Sequence, residues 1–167
     1  LELAIFLGLG LARPDLMATL SEPVLWWKFG ALGLLAVIGF GTALRSFSPV
    51  ASARKGLFLI GLLAAASVAT AWGLDTTHPR GAELLARLDP PDGLRCLGYV
   101  VGLSLPPLLL LAVLMRRGAA TDRAGSASAV GIGSAAWAAW VFVFACPHDD
   151  PFYVVVWYAL ACSVIAV

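Results

Sequence analysis

Residues Val24 to Leu44 read VLWWKFGALGLLAVIGFGTAL, a run whose one charge, Lys28, stands near its start. A helix of about 20 apolar residues crosses the roughly 30 Å hydrocarbon core of a bilayer. The run has that length and character, so it reads as a transmembrane helix. Lys28 is close enough to the end to snorkel to the interface. Trp26 and Trp27 mark the same interface.

Outward from this run the pattern repeats. Further apolar spans cover about 56–74, 96–115, 127–146 and 151–167, and a partial one covers 1–11. The expected fold is all-α: one polytopic transmembrane bundle over 1–167, with about six spans and the first and last cut short. The 1–11 run lacks the basic flank and small-residue exit of a signal peptide. It reads as the second half of a helix that begins before Leu1. The composition agrees, with 60% hydrophobic and 13% charged residues and a mean hydropathy of +0.91. A soluble domain has about 45–50% apolar and about 25% charged residues. A formal net charge of +1 gives no basic surface for nucleic acid. There is no P-loop, HExxH or GxSxG motif, and no enzyme is expected.

The connections hold most of the charge. Arg45, Arg54 and Lys55 lie in one loop, and Arg116, Arg117 and Arg123 in another, with Asp122 the single acid between them. The other loops hold Asp15, Glu22, Asp75, Glu83, Asp89, Asp92, Asp149 and Asp150. The positive-inside rule puts the two basic loops in the cytoplasm and the acidic loops outside, with both termini cytoplasmic. Within the long outer loop, Pro79 to Leu88 reads as a short amphipathic helix on the membrane surface. Leu84, Leu85 and Leu88 share one face, and Glu83 and Arg87 form an i,i+4 pair. Pro106-Pro107 should kink the fourth span. Gly98 and Gly102 form a small-xxx-small pattern that permits close helix contact. Gly131, Ala135, Ala138 and Ala139 suggest tight packing around the fifth span, with Trp137 and Trp140 filling it.

Three cysteines stand at 96, 146 and 162. At about 1.5 Å per residue, Cys96 and Cys146 both lie about 30 Å from the inner rim, at nearly equal height near the outer one. Cys162 is deep in the last span and reads as a small buried apolar residue. Cys96 and Cys146 are therefore candidates for a disulfide or a soft-metal site; the bland alternative is two unrelated thiols at helix ends. A disulfide needs Cα atoms about 4.4–6.8 Å apart, closer than packed helix axes at about 8–10 Å. A helix end would have to bend inward, and Pro147 can supply the bend. The turn Cys146-Pro147-His148-Asp149-Asp150-Pro151 gathers thiol, imidazole and carboxylates. Sulfur and imidazole suit zinc, cadmium or copper, so Cys96, Cys146 and His148 form a candidate metal set. Asp149-Asp150-Pro151 also reads as a helix start, with an acidic N-cap and Pro at N1. His78 is a loop histidine on the same side.

Several stretches together resemble the NrsF-type membrane anti-sigma factors, negative regulators of an extracytoplasmic-function sigma factor. They are Leu11-Ala12-Arg13-Pro14-Asp15-Leu16, Trp26-Trp27-Lys28, Arg95-Cys96, Arg116-Arg117-Gly118-Ala119 with Thr121, and Cys146-Pro147-His148-Asp149-Asp150-Pro151 leading to Val156-Trp157-Tyr158. The resemblance covers essentially the whole chain. It implies a bacterial inner-membrane location, six spans and both ends in the cytoplasm. It implies that a cytoplasmic N-terminal segment preceding these residues holds the sigma factor. It further implies that the paired cysteines, here Cys96 and Cys146, sense heavy-metal or redox stress. Family members commonly carry His just before the second cysteine, where this chain has Ala145. No resident cofactor is expected beyond a soft metal ion at the thiols. Other readings are a membrane thiol-disulfide oxidoreductase, which usually has a C-x-x-C pair that this chain lacks, and a small-solute or metal transporter. Transporters usually carry intramembrane charges, and no span here has one at mid-depth.

Overall fold

The computed structural model describes residues 13, 16–75 and 82–166. Among them every regular element is a helix. A short turn of helix, α1 (Leu16–Thr19), precedes α2 (Pro23–Ser46), α3 (Arg54–Leu74), α4 (Ala82–Leu88), α5 (Pro90–Arg117), α6 (Arg123–Phe142) and α7 (Pro151–Ala166). The all-helical expectation therefore holds. Three helices are long and apolar enough to cross a membrane: α2, α3 and the one containing α5. The expected first span, 1–11, and His78 lie outside the described residues. The last span, α7, is apolar but 16 residues long.

Prolines set several boundaries. Pro23 and Pro90 stand in the first helical turn, where a missing N–H costs nothing. Pro90 starts α5 well before the expected start at Cys96, because Asp92 and Arg95 hide that turn from an apolar pattern. Cys96 thus lies in the second turn of α5. α6 in turn ends at Phe142 rather than Cys146. Pro147 disfavours a helical conformation at Cys146, so the chain leaves the helix through a turn over 143–145 just before Cys146. The helix α5 is continuous through Pro106 and Pro107.

α6 is the centre of the bundle. It packs most extensively along α2, then α5 and α7, while α3 lies outside against α2 and α7. Its small residues make this possible: Gly131, Gly133, Ser134, Ala135, Ala136, Ala138 and Ala139 are all buried. A Cβ on Gly39 would fall 2.6 Å from the Gly133 Cα, so α2 and α6 meet backbone to backbone. The contact expected at Gly98 and Gly102 is not made, since a Cβ at either would meet nothing within 4 Å. Trp137 and Trp140 stack on each other at 5.4 Å, and Phe29 packs on Trp140 at 4.8 Å. Outward, Val37, Phe58, Leu62, Leu109 and Leu110 are exposed. An apolar outer belt of this kind suits a lipid surface.

The ends of the bundle differ in charge. The two basic loops share one end, where the Ala119 amide donates to the Phe47 carbonyl at 3.1 Å. The acidic residues Asp75, Asp89, Asp92, Asp149 and Asp150 gather at the other, together with Cys96 and Cys146.

Candidate functional site

The site is built around the segment linking α6 to α7. Cys146 is fully buried, and Cys96 nearly so. The two thiols are close enough to influence each other electrostatically. The Tyr153 hydroxyl donates to Cys96 Sγ at 3.3 Å, and the Tyr158 hydroxyl faces Cys146. The two sulfurs from α5 and the α6–α7 turn thus lie under two α7 tyrosines. The bend needed to bring them together comes from the early end of α6. Cys162 is apart from them, on the wall of an apolar cavity of about 310 Å³ between α2, α3 and α7.

The turn itself is held by three cations from three different segments. Asp149 accepts Arg13 through Nη1 at 3.1 Å and Nη2 at 2.9 Å, and Lys28 Nζ at 2.8 Å. The Lys28 ammonium also donates to the His148 carbonyl. Arg13 donates to the Cys146 carbonyl at 3.1 Å, and its amide donates to the Phe144 carbonyl at 2.8 Å. Arg87 of α4 binds Asp150 with Nε at 2.6 Å and Nη2 at 2.5 Å, and Asp75 with Nη1 at 3.0 Å. Burial by itself would raise the Asp149 carboxyl, but the hydrogen bonds from Arg13 and Lys28 outweigh it and hold the group below the usual carboxylate range. The Arg87 guanidinium is held charged, first by its hydrogen bond to Asp150. Asp150 also accepts the Phe152 amide at 2.9 Å, the N-terminal capping expected of one aspartate here.

His148 divides its two polar ends. Its carbonyl accepts the Cys146 thiol at 3.7 Å, while its ring lies 4.2 Å from the Tyr153 ring. Its Nε2 lies 3.6 Å from Asp92. The imidazole is thus within reach of the Asp92 carboxylate. Among the described residues, the convergent metal-capable group is Asp89, Asp92 and His148, with ligand atoms within 4.8 Å of one another. A cavity of about 440 Å³ lined by Asp92, Arg95, Cys96 and His148 opens beside the thiols. α4 closes the end, where the Leu88 carbonyl accepts the Trp157 indole N–H at 2.8 Å.

Lys28 corrects its sequence reading. It is 1% exposed and points inward to the turn instead of snorkelling to an interface. A long-range acid partner removes the need to reach water. Arg13 and Tyr158 entered only as members of stretches shared with a family, and Tyr153 carries no local motif. The available signal was that a lysine inside an apolar run needs an acid, and Asp149-Asp150 is a rare acid pair beside apolar helices.

The fold and this end of it define an all-helical bundle, with helices of membrane-spanning length and a buried thiol pair beneath a charge-clamped turn. A family model described as negative regulator of sigma F, NrsF, matches residues 1–167. The curated Anti-sigma-F factor NrsF of Caulobacter vibrioides (strain NA1000 / CB15N) is 31% identical over 160 residues, 95% of this chain and 74% of that protein. No solved structure matches the chain. The chain belongs to the NrsF family of negative regulators, the family its sequence resembles, and a regulatory rather than catalytic role fits it.

Proposed function

We propose that the protein is the membrane-embedded sensor part of an anti-sigma factor. It holds a sigma factor of the extracytoplasmic-function class at the inner surface of the bacterial inner membrane. It releases that factor when Cys96 and Cys146 meet a heavy metal ion or an oxidant. The observation that carries this reading is the pairing of two buried cysteines 50 positions apart in the chain. Six spans with both termini in the cytoplasm accord with the gathering of both basic loops at one end. Two thiols can bind a soft cation as thiolates, giving up two protons. They can also form a disulfide, passing two electrons and both protons to the oxidant.

The test is a sigma-dependent reporter in cells carrying the complete protein, with Cys96→Ser and Cys146→Ser combined. Loss of the cadmium response is expected, with the protein still present in the membrane. A reporter that responds as with the natural chain would sink the reading.

A further inference from the structure

Cys146 has two sides. Its sulfur faces α5 and α7, through Cys96, Tyr153 and Tyr158. Its backbone faces the N-terminal side of the protein. The carbonyls of Phe144, Cys146 and His148, every second residue, are taken by the Arg13 amide, the Arg13 guanidinium and Lys28. Asp149 then accepts both of those cations. The segment is therefore laced to residue 13 and α2 along one edge and to the thiol partners along the other. α2 is no loose partner, for it meets α6 backbone to backbone at Gly39 and Gly133, toward the end that carries the basic loops.

We propose that Asp149 is the coupling residue of the sensor: through Arg13 and Lys28 it transmits displacement of the Cys146 turn to the N-terminal segment and α2. This rests on the thiol-sensing reading above. A change at the sulfurs pulls the turn toward or away from α5, and the two cations must follow the carboxylate or lose it. A contiguous network of hydrogen bonds and salt bridges is one physical route by which two sites are coupled, and spatial proximity alone is not. Lys28 and Arg13 are buried, so water cannot readily replace Asp149 as their partner.

The experiment uses cells carrying the complete protein with Asp149→Asn, read in two ways. The first is the sigma-dependent reporter before and after cadmium. The second is cross-linking of Cys96 to Cys146 in membranes by a short bifunctional thiol reagent, with membrane abundance measured alongside. Expected are cross-linking within twofold of the natural chain and a cadmium response reduced at least fivefold, from a low baseline. A response within twofold of the natural chain overturns the proposal. So does a high reporter baseline, which would make Asp149 a latch on the resting state. So does loss of cross-linking, which would make it a mere support of the thiols. If Asp149→Asn fails to accumulate, Arg13→Lys keeps the charge but loses the fork. It is then expected to cut the response at least threefold, and a normal response overturns the proposal. A response that survives in the double cysteine variant overturns the sensing reading itself. Loss there with a normal Asp149→Asn response overturns the coupling alone.

Discussion

The Lys28 ammonium lies 2.8 Å from the carboxylate of Asp149, 121 positions later in the chain. Both ends of this pair are drawn out of water, the lysine almost completely. Removing one partner of a buried pair strands the other charge, which is costlier than the pair was favourable. Lys28→Met is therefore expected to destabilise the purified protein in detergent by about 2 kcal/mol, below the roughly 3–5 kcal/mol of a fully buried pair. The reduction reflects Asp149's remaining bonds to Arg13 and its partial exposure. Thermal unfolding of variant and natural chain checks this; equal stability would mean that the pair contributes nothing.

The same carboxylate gives a pH dependence. Its pKa is lowered in the folded state, so its contribution is fully present above the unfolded carboxylate value, about 3.9. It is lost as pH falls through the depressed folded value. Stability attributable to Asp149 should be flat from neutral pH down to about 5 and fall away below about 4. The difference between natural chain and Asp149→Asn, measured across that range, isolates it. A difference that already shrinks between neutrality and pH 5 would contradict the assignment.

The helix seam should discriminate sharply among glycines. Gly39→Ala places a methyl against the Gly133 backbone, and α2 and α6 have to part. Such overpacking costs about 1–3 kcal/mol. Gly102→Ala meets open space and should be neutral or stabilising by about 0.5–1 kcal/mol, since Ala is the better helix former. Melting temperatures of the two variants should move in opposite directions or differ clearly.

Trp157→Phe removes the donor that the Leu88 carbonyl accepts. One hydrogen bond of this kind contributes about 0.5–1.5 kcal/mol. Because α4 has only seven residues and keeps its Arg87 bonds to Asp150 and Asp75, the expected effect is local. Proteolysis after Arg87 should quicken while the global melting temperature moves little.

The helices were legible because lipid-length apolar runs and prolines speak locally. The placing of Cys96 and Cys146 at one end was legible too, since counting residues from the basic loops gave both cysteines nearly one height. The clamp was not. Arg13 stood out only as part of a family stretch, and Lys28 read as an interface residue, because a salt bridge across more than a hundred positions leaves no periodicity. The glycines misled for a related reason. Gly98 and Gly102 have the spacing of a contact, yet what they face depends on how α5 is rotated. Gly39 and Gly133 stand on separate helices, with no shared spacing to join them.

The central position of α6 has a consequence for how the protein is made. α6 is built of small residues and is not among the helices whose composition suits a membrane by itself. Lipid alone gives it little reason to stay. In the proposed membrane placement, α2, α3 and α5 emerge first and can settle independently, leaving a narrow seam bordered by Gly39. In that placement the close fit at Gly39 and Gly133, more than lipid, is expected to hold α6, so its place depends on the earlier helices already standing together.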